Sequence, residues 1–432
     1  MKIPDVLVIE SEHRPGSLGR ILTAIGDLGV VVEHLVAVRR DQDKTVWEVT
    51  VELEEHQMNE LAECIEQLPN ARLLGESDRV FDRHRGGKIH MVSKVAFDSL
   101  GQMRDLYTPG VARVCLAVLK EPEKVNDYTN LPNTVAIVTD GSAVLGLGNI
   151  GALAGLPVME GKSMIYARNV GVSAVPILFD ESDPEKIIDA VVAIAPSFGA
   201  IHLEDIASPA CFRIEAALRE RLDKPVLHDD QHGTAVVTLA ALISASRHVG
   251  LDLNNSVVGH IGLGAAGIGI ARLLNRYGVV KSLGSDLNET AVKRFEKTGG
   301  KGVALEELVA KSHVVIATTG VKDLIHPEWI QEGQMIFALS NPEPEIDPHV
   351  ALQRGASFAI DGSGLNNALG FPALFRGALD ARARQFTDAM LFAAAEKIAE
   401  LAPEDKMLPD VMDREVHAAI AAAVRDAALN DK

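Results

Sequence analysis

The residues that could carry chemistry are acids set in pairs. Glu204-Asp205 follows the apolar run Gly199-Ala-Ile-His-Leu203, and Asp229-Asp230 follows Pro225-Val-Leu-His228. Each run reads as a strand ending on its acids with a helix behind it, one opened by Ser208-Pro209 and running to about Leu222, the other starting near Gly233. As parallel neighbours, these strands bring four carboxylates to one edge, where mutual repulsion raises their pKa values unless a cation neutralises them. All-oxygen ligation suits Mg²⁺ or Mn²⁺. One pair alone is explained as favourable charge at a helix N-terminus; two pairs argue for a metal. His228 and His232 flank the second pair, and local hydrogen bonding accounts for them outside the metal shell.

Glycine signals a second site. The string G-x-G-x-x-G occurs at Gly146-Leu-Gly148-Asn-Ile-Gly151 and at Gly262-Leu-Gly264-Ala-Ala-Gly267, and either alone is weak evidence. The second follows a strand, Val257 to Ile261, opens a helix through Arg276, and precedes a strand ending at Asp286, near the spacing of a ribose-binding acid. Gly262 and Gly264 then permit a tight turn and close passage of a pyrophosphate, which meets the helix opened by Ala265, Ala266 and Gly267. Asp286 would accept from the ribose 2′-hydroxyl and repel a 2′-phosphate, so NAD is expected over NADP. The first string leads into Ala152 to Pro157, expected to be a poor helix, with no acid at the right distance. Its glycines are read as letting backbone approach substrate or a neighbouring strand, in a substrate domain.

Elements that position such sites need room. A chain of 432 residues, 47% apolar, is too long for one core and predicts two or three domains. The formal charge of -18, with no basic cluster, disfavours nucleic acid and favours small-molecule partners. Cys64, Cys115 and Cys211 form no C-x-x-C pair, so no disulfide framework or zinc site is expected and a reducing cytoplasm is the natural compartment. No basic-then-apolar leader or membrane-spanning run is evident.

From about residue 90, strands ending in acids or glycine alternate with helices, the pattern of an α/β architecture with mostly parallel sheets. Residues 6 to 76 instead read β-α-β-β-α-β, a ferredoxin-like unit. Leu18, Ile21, Leu22, Ile25 and Leu28 line its first helix, and Met58, Leu61, Ile65 and Leu68 its second. The turn His13-Arg14-Pro15-Gly16-Ser17-Leu18, with Gly29 after the helix, resembles the ACT family of regulatory domains, which implies an amino-acid or metabolite effector; a purely dimerising domain is the alternative. The polar stretch Glu76 to Lys88, with Asp78, Arg79, Asp82, Arg83, Arg85 and Gly86-Gly87, reads as a linker. The division is then 1–78 for the ACT-like domain, 79–89 for the linker, 90–232 for a substrate and metal domain, and 233–432 for a Rossmann domain with C-terminal helices. In the last part, Thr387 to Leu401 shows helical apolar spacing explained by core packing or dimer contact.

Further strings carry a family resemblance. Tyr107-Thr-Pro-Gly-Val-Ala112, Thr139-Asp-Gly-Ser-Ala-Val-Leu-Gly-Leu-Gly-Asn-Ile-Gly151, Met159-Glu-Gly-Lys162, Leu203-Glu-Asp-Ile206 and His228-Asp-Asp-Gln-His-Gly-Thr234 resemble the motif set of the malic enzymes. So do Ala338-Leu-Ser-Asn-Pro342 and Asn366-Asn-Ala-Leu-Gly-Phe-Pro372, in family order across residues 90 to 385. The resemblance implies oxidative decarboxylation of malate to pyruvate and carbon dioxide with NAD and a divalent metal, by an oligomer in which a neighbouring subunit contributes to each site. It assigns Tyr107 as general acid, Lys162 as general base, Asp229 as the acidic neighbour of the lysine, and Glu204, Asp205 and Asp230 as metal ligands. Asn341 falls at a position contacting substrate or nicotinamide, as do Asn366 and Asn367. A lysine suits the base role if burial and nearby charge depress its pKa, and a tyrosine stays protonated at neutral pH, as an acid must. By residue type alone, Tyr107 would be a turn residue and Lys162 a solvated lysine. Where larger members carry an arginine for a substrate carboxylate this chain has Ala143, as in smaller bacterial-type members, and the segment 360–367 is shorter, with glycines that imply a mobile loop.

Malolactic enzyme and oxaloacetate decarboxylase would keep the same site; net NADH formation from malate separates them. A metal-free amino-acid dehydrogenase has no use for two carboxylate pairs, and a catalytically silent metabolite sensor has no chemical need for the full set of acids, Tyr107 and Lys162.

Overall fold

The computed structural model describes residues 4–53, 57–77, 79–341, 343–404 and 406–431. Asp78 and Pro342, both named above, lie outside the described residues. The chain divides into two compact units, Met1–Lys88 and Ile89–Lys432.

The first unit runs β1 (Pro4–Glu12), helix Ser17–Asp27, β2 (Val32–Arg40), β3 (Lys44–Glu52), helix Gln57–Glu66 and β4 (Ala71–Glu76), in the expected β-α-β-β-α-β order. The antiparallel sheet is ordered β2-β3-β1-β4. Alternate residues Leu7 and Ile9 of β1 and Val49 and Val51 of β3 pack on Ile21 and Ile25 of one helix and Leu61 and Ile65 of the other. Period two in the strands and period 3.6 in the helices thus meet in one core. The first helix begins after Gly16, whose left-handed φ of 84° separates it from Pro15. The polar stretch read as a linker is a short helix in part, Arg79–His84. It buries no residue, so no apolar face announces it; Arg79 Nη1 ties it to Glu48 Oε2 of β3 at 2.8 Å.

The second unit holds two parallel sheets. In the first, β5 (Thr134–Thr139), β6 (Ser173–Leu178), β7 (Ala200–Leu203) and β8 (Val226–His228) are ordered β6-β5-β7-β8. In the second, β9 (Val257–Ile261), β10 (Lys281–Ser285), β11 (Lys301–Gly302), β12 (Val314–Ala317), β13 (Met335–Ala338) and β14 (Phe358–Asp361) are ordered β11-β10-β9-β12-β13-β14. That is the 3-2-1-4-5-6 order of a Rossmann fold, with its switch point between β9 and β12. Val135 to Val138 and Val314 to Ala317 are buried without alternation, as strands covered on both faces require.

The helix Asp229–Val249 joins the sheets, and every residue from Ala235 to Leu242 is buried. It runs unbroken through residues 232 and 233, between which the sequence reading set a domain boundary. The helices Phe371–Asp380, Asp388–Leu401 and Arg414–Asn430 contribute to the same core. The stretch after the first glycine string is a helix of 19 residues, Ala152–Val170, where a poor one was expected. Pro157 lies inside it, yet Ala152, Gly155, Met159, Lys162, Ser163 and Tyr166 are buried along it, and tertiary packing outweighs local propensity. In contrast, the helices Leu100–Leu106 and Val111–Lys120 bury no residue. Among the described residues no helix is long and apolar enough to cross a membrane.

Candidate active site

The register of β7 on β8 places Leu203 opposite His228, so Glu204-Asp205 and Asp229-Asp230 emerge side by side. Glu204, Asp205 and Asp230 each present an oxygen within 4.8 Å of the others. The second helix starts at Asp229, four residues before Gly233, so both acids occupy its first turn, where the helix dipole favours them. Gly233 is required one turn on: a Cβ there would lie 1.8 Å from Asp229 Oδ1. Asp205 adopts a left-handed φ of 52°, a strained conformation for a non-glycine residue. It is held by Ala143 N donating to its carbonyl (2.9 Å) and by its own N–H donating to Asp230 Oδ2 (3.0 Å). The backbone contact comes from Ala143, upstream of the first glycine string; within the string, a Cβ on Gly148 or Gly151 would meet nothing within 4 Å among the described residues.

Crowding has its electrostatic consequence. Burial, then Glu204 and Asp230, push the Asp205 carboxyl up to about 9. Burial also raises Asp229 and Asp230, with Glu204 adding to both. Among the described residues, Asp205 Oδ2 is buried without a hydrogen-bond partner. An orphaned buried oxygen in an all-carboxylate cluster fits a hard divalent cation, with Glu204, Asp205 and Asp230 as its holders.

Lys162 reaches the cluster from the helix Ala152–Val170 and is only 8% exposed, which sets aside a solvated lysine. Its Nζ lies 2.7 Å from Asp229 Oδ2, 3.1 Å from Glu204 Oε2 and 4.3 Å from the centre of the Phe371 ring. The expected depression of its pKa is not found. Burial pushes it down, but the carboxylates of Asp229 and Glu204 outweigh burial and hold it above the ordinary lysine value.

Three residues escaped the sequence reading. His202 is two positions before Glu204 on β7, hence on the same face, and its Nε2 lies 2.6 Å from Glu204 Oε2. Tyr166, four residues after Lys162 on one helix face, places its hydroxyl 2.8 Å from His202 Nδ1. Glu215, on the helix Ala210–Arg221, accepts from His228 N (3.1 Å) and Gln231 Nε2 (3.2 Å) and lies 2.9 Å from His232 Nε2. Sequence period could reveal the first two; Glu215 belongs to another element and only the fold reveals it. The local hydrogen bonding expected of His228 fails for its ring, whose nitrogens are buried without a hydrogen-bond partner among the described residues, Nδ1 lying 3.6 Å from Asp230 Oδ2.

Burial alone would raise Glu215, but His232 and the His228 N–H outweigh it and hold the carboxyl at about 2. A depressed acid stabilises the fold above its unfolded pKa, and that contribution is lost as pH falls through the folded value. Glu215→Gln is therefore expected to cost up to about 3 kcal/mol near pH 7, with the gap to the parent closing between about pH 5 and pH 2 in urea unfolding.

Tyr107 is not brought to this cluster. It ends the helix Leu100–Leu106 and is 63% exposed; among the described residues no hydrogen bond links it to Lys162 or the four acids. The nucleotide loop matches its expected geometry more fully. Gly262 has a left-handed φ of 84°, and a Cβ on Gly267 would stand 1.9 Å from Gly262 O. Gly264, followed by Ala265 and Ala266 in the first turn of the helix Ala265–Tyr277, faces open space. Asp286, just past β10, accepts from Leu263 N and Asn288 N at 2.7 Å each, so it is braced against that loop. Asn341 follows β13, and a Cβ on Gly362 would meet its Nδ2 at 2.7 Å. Asn366 uses its side-chain oxygen to accept from Ala368 N, and Asn367 begins a 3-10 turn. The loop expected to be mobile is two such turns, the first held by Asp361 accepting from Ser363 N at 3.0 Å.

A Rossmann sheet with an intact glycine loop, beside a second sheet whose edge gathers acids around a buried lysine, defines the class of dinucleotide-dependent α/β oxidoreductases. Residues 87–185 match the model of the malic enzyme N-terminal domain, and residues 231–303 and 350–429 that of the malic enzyme NAD-binding domain. The chain is 51% identical to NAD-dependent malic enzyme 1 of Bacillus subtilis over 98% of its own length and 97% of the relative's. A bifunctional malic/malolactic enzyme of the same organism is 40% identical over 79% of this chain and 90% of its own. The crystal structure of malic enzyme from Pyrococcus horikoshii superposes with a TM-score of 0.78 at 40% identity, covering 82% of this chain and 90% of that one. The chain belongs to the malic enzyme family.

Proposed function

We propose that this protein oxidises and decarboxylates (S)-malate to pyruvate and carbon dioxide, reducing NAD, with Mg²⁺ or Mn²⁺ at Glu204, Asp205 and Asp230. The observation that carries the reading is the buried Lys162, 2.7 Å from Asp229 and 3.1 Å from Glu204 at the edge of the carboxylate cluster. A nicotinamide held by the Gly262–Gly267 loop would supply the hydride acceptor for malate C2, and the Lys162–Asp229 pair would take the hydroxyl proton, the two sharing it. Glu204, Asp205 and Asp230 would hold a divalent cation, which when bound would supply Lewis-acid stabilisation of the negative charge that develops on loss of carbon dioxide. Tyr107 returns a proton to carbon, and Asn341, Asn366 and Asn367 orient substrate and nicotinamide. Gly262, Gly264, Ala265, Ala266 and Gly267 cradle the pyrophosphate, and Asp286 selects NAD; a higher kcat/KM with NADP contradicts that choice. The test is NADH absorbance on adding malate, NAD and Mn²⁺, with pyruvate assayed in parallel. Lactate without net NADH would instead favour malolactic chemistry, a reading supported by the similarity to a bifunctional malic/malolactic enzyme.

Tyr107 acts in a second copy of the chain. The observation behind this is its exposure on a segment where Phe97, Leu100, Leu116 and Leu119 are also exposed, an apolar surface suited to a subunit contact. Tyr107→Phe and Lys162→Ala are each expected to be inactive, and co-refolding them in equal amounts should restore about one quarter of parental activity, because half the sites in mixed dimers are intact. No recovery in mixed dimers would contradict the shared site. The first unit, with its ACT-like turn, binds an amino acid or another metabolite near Arg14 to Leu18 and alters malate turnover in a cytoplasmic enzyme.

A further inference from the structure

Glu204 has unusual support for a carboxylate beside a lysine. Among the described residues, both of its hydrogen-bonding or ionic partners, His202 Nε2 at 2.6 Å and Lys162 Nζ at 3.1 Å, engage Oε2, which leaves Oε1 for a cation. His202 is wholly buried, and its ring plane is fixed from two sides. Phe375 stacks on it at 5.3 Å between centroids and 19° between planes, and Phe371 meets it edge-on at 5.4 Å and 84°. On its far side Nδ1 faces the Tyr166 hydroxyl at 2.8 Å. A hydroxyl on one nitrogen and a carboxylate on the other assign the tautomer: Tyr166 O–H donates to Nδ1, and Nε2–H donates to Glu204. His202, Glu204 and Asp229 also lie close enough together to share an ion, but the Lys162 ammonium already pairs with both Asp229 and Glu204 there, so His202 supports the ligand rather than joining the shell.

We propose that Tyr166 and His202 are positioning residues, a buried hydroxyl–imidazole pair that locks the rotamer of Glu204 and so sets the affinity of the cluster for its divalent cation. The inference rests on the reading of Glu204 as a metal ligand. Support of this kind fixes a ligand before the ion arrives, so its loss appears in metal affinity more than in nucleotide binding.

The experiment is Mn²⁺ binding to the substrate-free, full-length protein, read from the electron paramagnetic resonance of free Mn²⁺. NADH binding by fluorescence reports on folding of the same samples. His202→Leu is expected to weaken Mn²⁺ at least about 10-fold and Tyr166→Phe by about 3-fold or more, with NADH affinity unchanged in both. His202→Gln, which keeps an N–H for Glu204 and an oxygen for Tyr166, is expected to recover to within about 3-fold of the parent. Unchanged Mn²⁺ affinity in His202→Leu that still binds NADH overturns the proposal. If His202→Leu does not fold, Tyr166→Phe decides, and parental Mn²⁺ affinity there overturns it equally. Loss of Mn²⁺ binding in Asp230→Asn identifies the metal site independently, so failure of the positioning role is distinguished from failure of the site, in which case the parent binds no Mn²⁺ and both readings fall.

Discussion

Lys162→Ala is expected to lower kcat for malate oxidation by about 10²–10⁴-fold, the usual contribution of a positioned acid–base group, while leaving NADH affinity unchanged. The lysine is 8% exposed and in contact with two carboxylates, so the substitution also removes a buried countercharge. The metal-free variant should therefore lose about 3–5 kcal/mol of stability, as expected when one partner of a buried ion pair is deleted. Both readouts are needed because the lysine has two roles. In the protein alone it holds its proton firmly, with the fields of Asp229 and Glu204 outweighing burial. In turnover it must exchange that proton with substrate, a task for the Lys162–Asp229 pair. Steady-state kinetics and urea unfolding of the same preparation check the two effects, and a kcat within tenfold of the parent would remove Lys162 from the acid–base role.

Asp205→Asn should separate stability from activity in the opposite sense. Asp205 is held in a left-handed conformation with a buried oxygen that has no hydrogen-bond partner among the described residues, and burial, then the neighbouring carboxylates, push it up to about 9. Replacing it by an uncharged isostere relieves repulsion, so the metal-free variant is expected to melt above the metal-free parent. Saturating Mn²⁺ reverses the order. At a metal concentration of about 100 times Kd the parent gains about 2.7 kcal/mol, whereas the variant, short of a charged ligand, gains far less. The same change should lower kcat/KM for malate by about 10²–10³-fold, corresponding to a few kcal/mol of lost charge stabilisation. Thermal melts with chelator and with Mn²⁺ test this directly; equal Mn²⁺ shifts in the two proteins would place the cation elsewhere.

The parts of this molecule legible in its sequence are those that obey a local period. The alternation in β1 and β3, the helical faces around Ile21 and Leu61, and the strand, glycine loop, helix and Asp286 succession all follow from neighbours in the chain, and the fold reproduces them. The juxtaposition of the acid pairs was also readable, because two strands ending on acids need only be parallel neighbours. What escaped was set by distant contacts. The helix Ala152–Val170 contains Gly and Pro and has little amphipathic pattern, yet is fixed by the core it enters. The pKa of Lys162 depends on a balance between burial and two charges that residue type cannot supply. Glu215 and its contacts with His228, Gln231 and His232 join two elements with no shared motif.

The helix Asp229–Val249 has a consequence for how such enzymes can be rebuilt. Its first turn carries two of the acids, and near that end Gly269 of the nucleotide-binding helix packs so closely that a Cβ would stand 2.3 Å from Gln231 O. One rod therefore fixes the spacing of both sites. A chimera joined at residue 232 would cut through that rod and hand its ends to different parents, so each inherited site would be sound while the distance between them was wrong. Grafting a foreign nucleotide module onto this scaffold should succeed only if the crossover lies outside the whole rod and the glycine at position 269 travels with it.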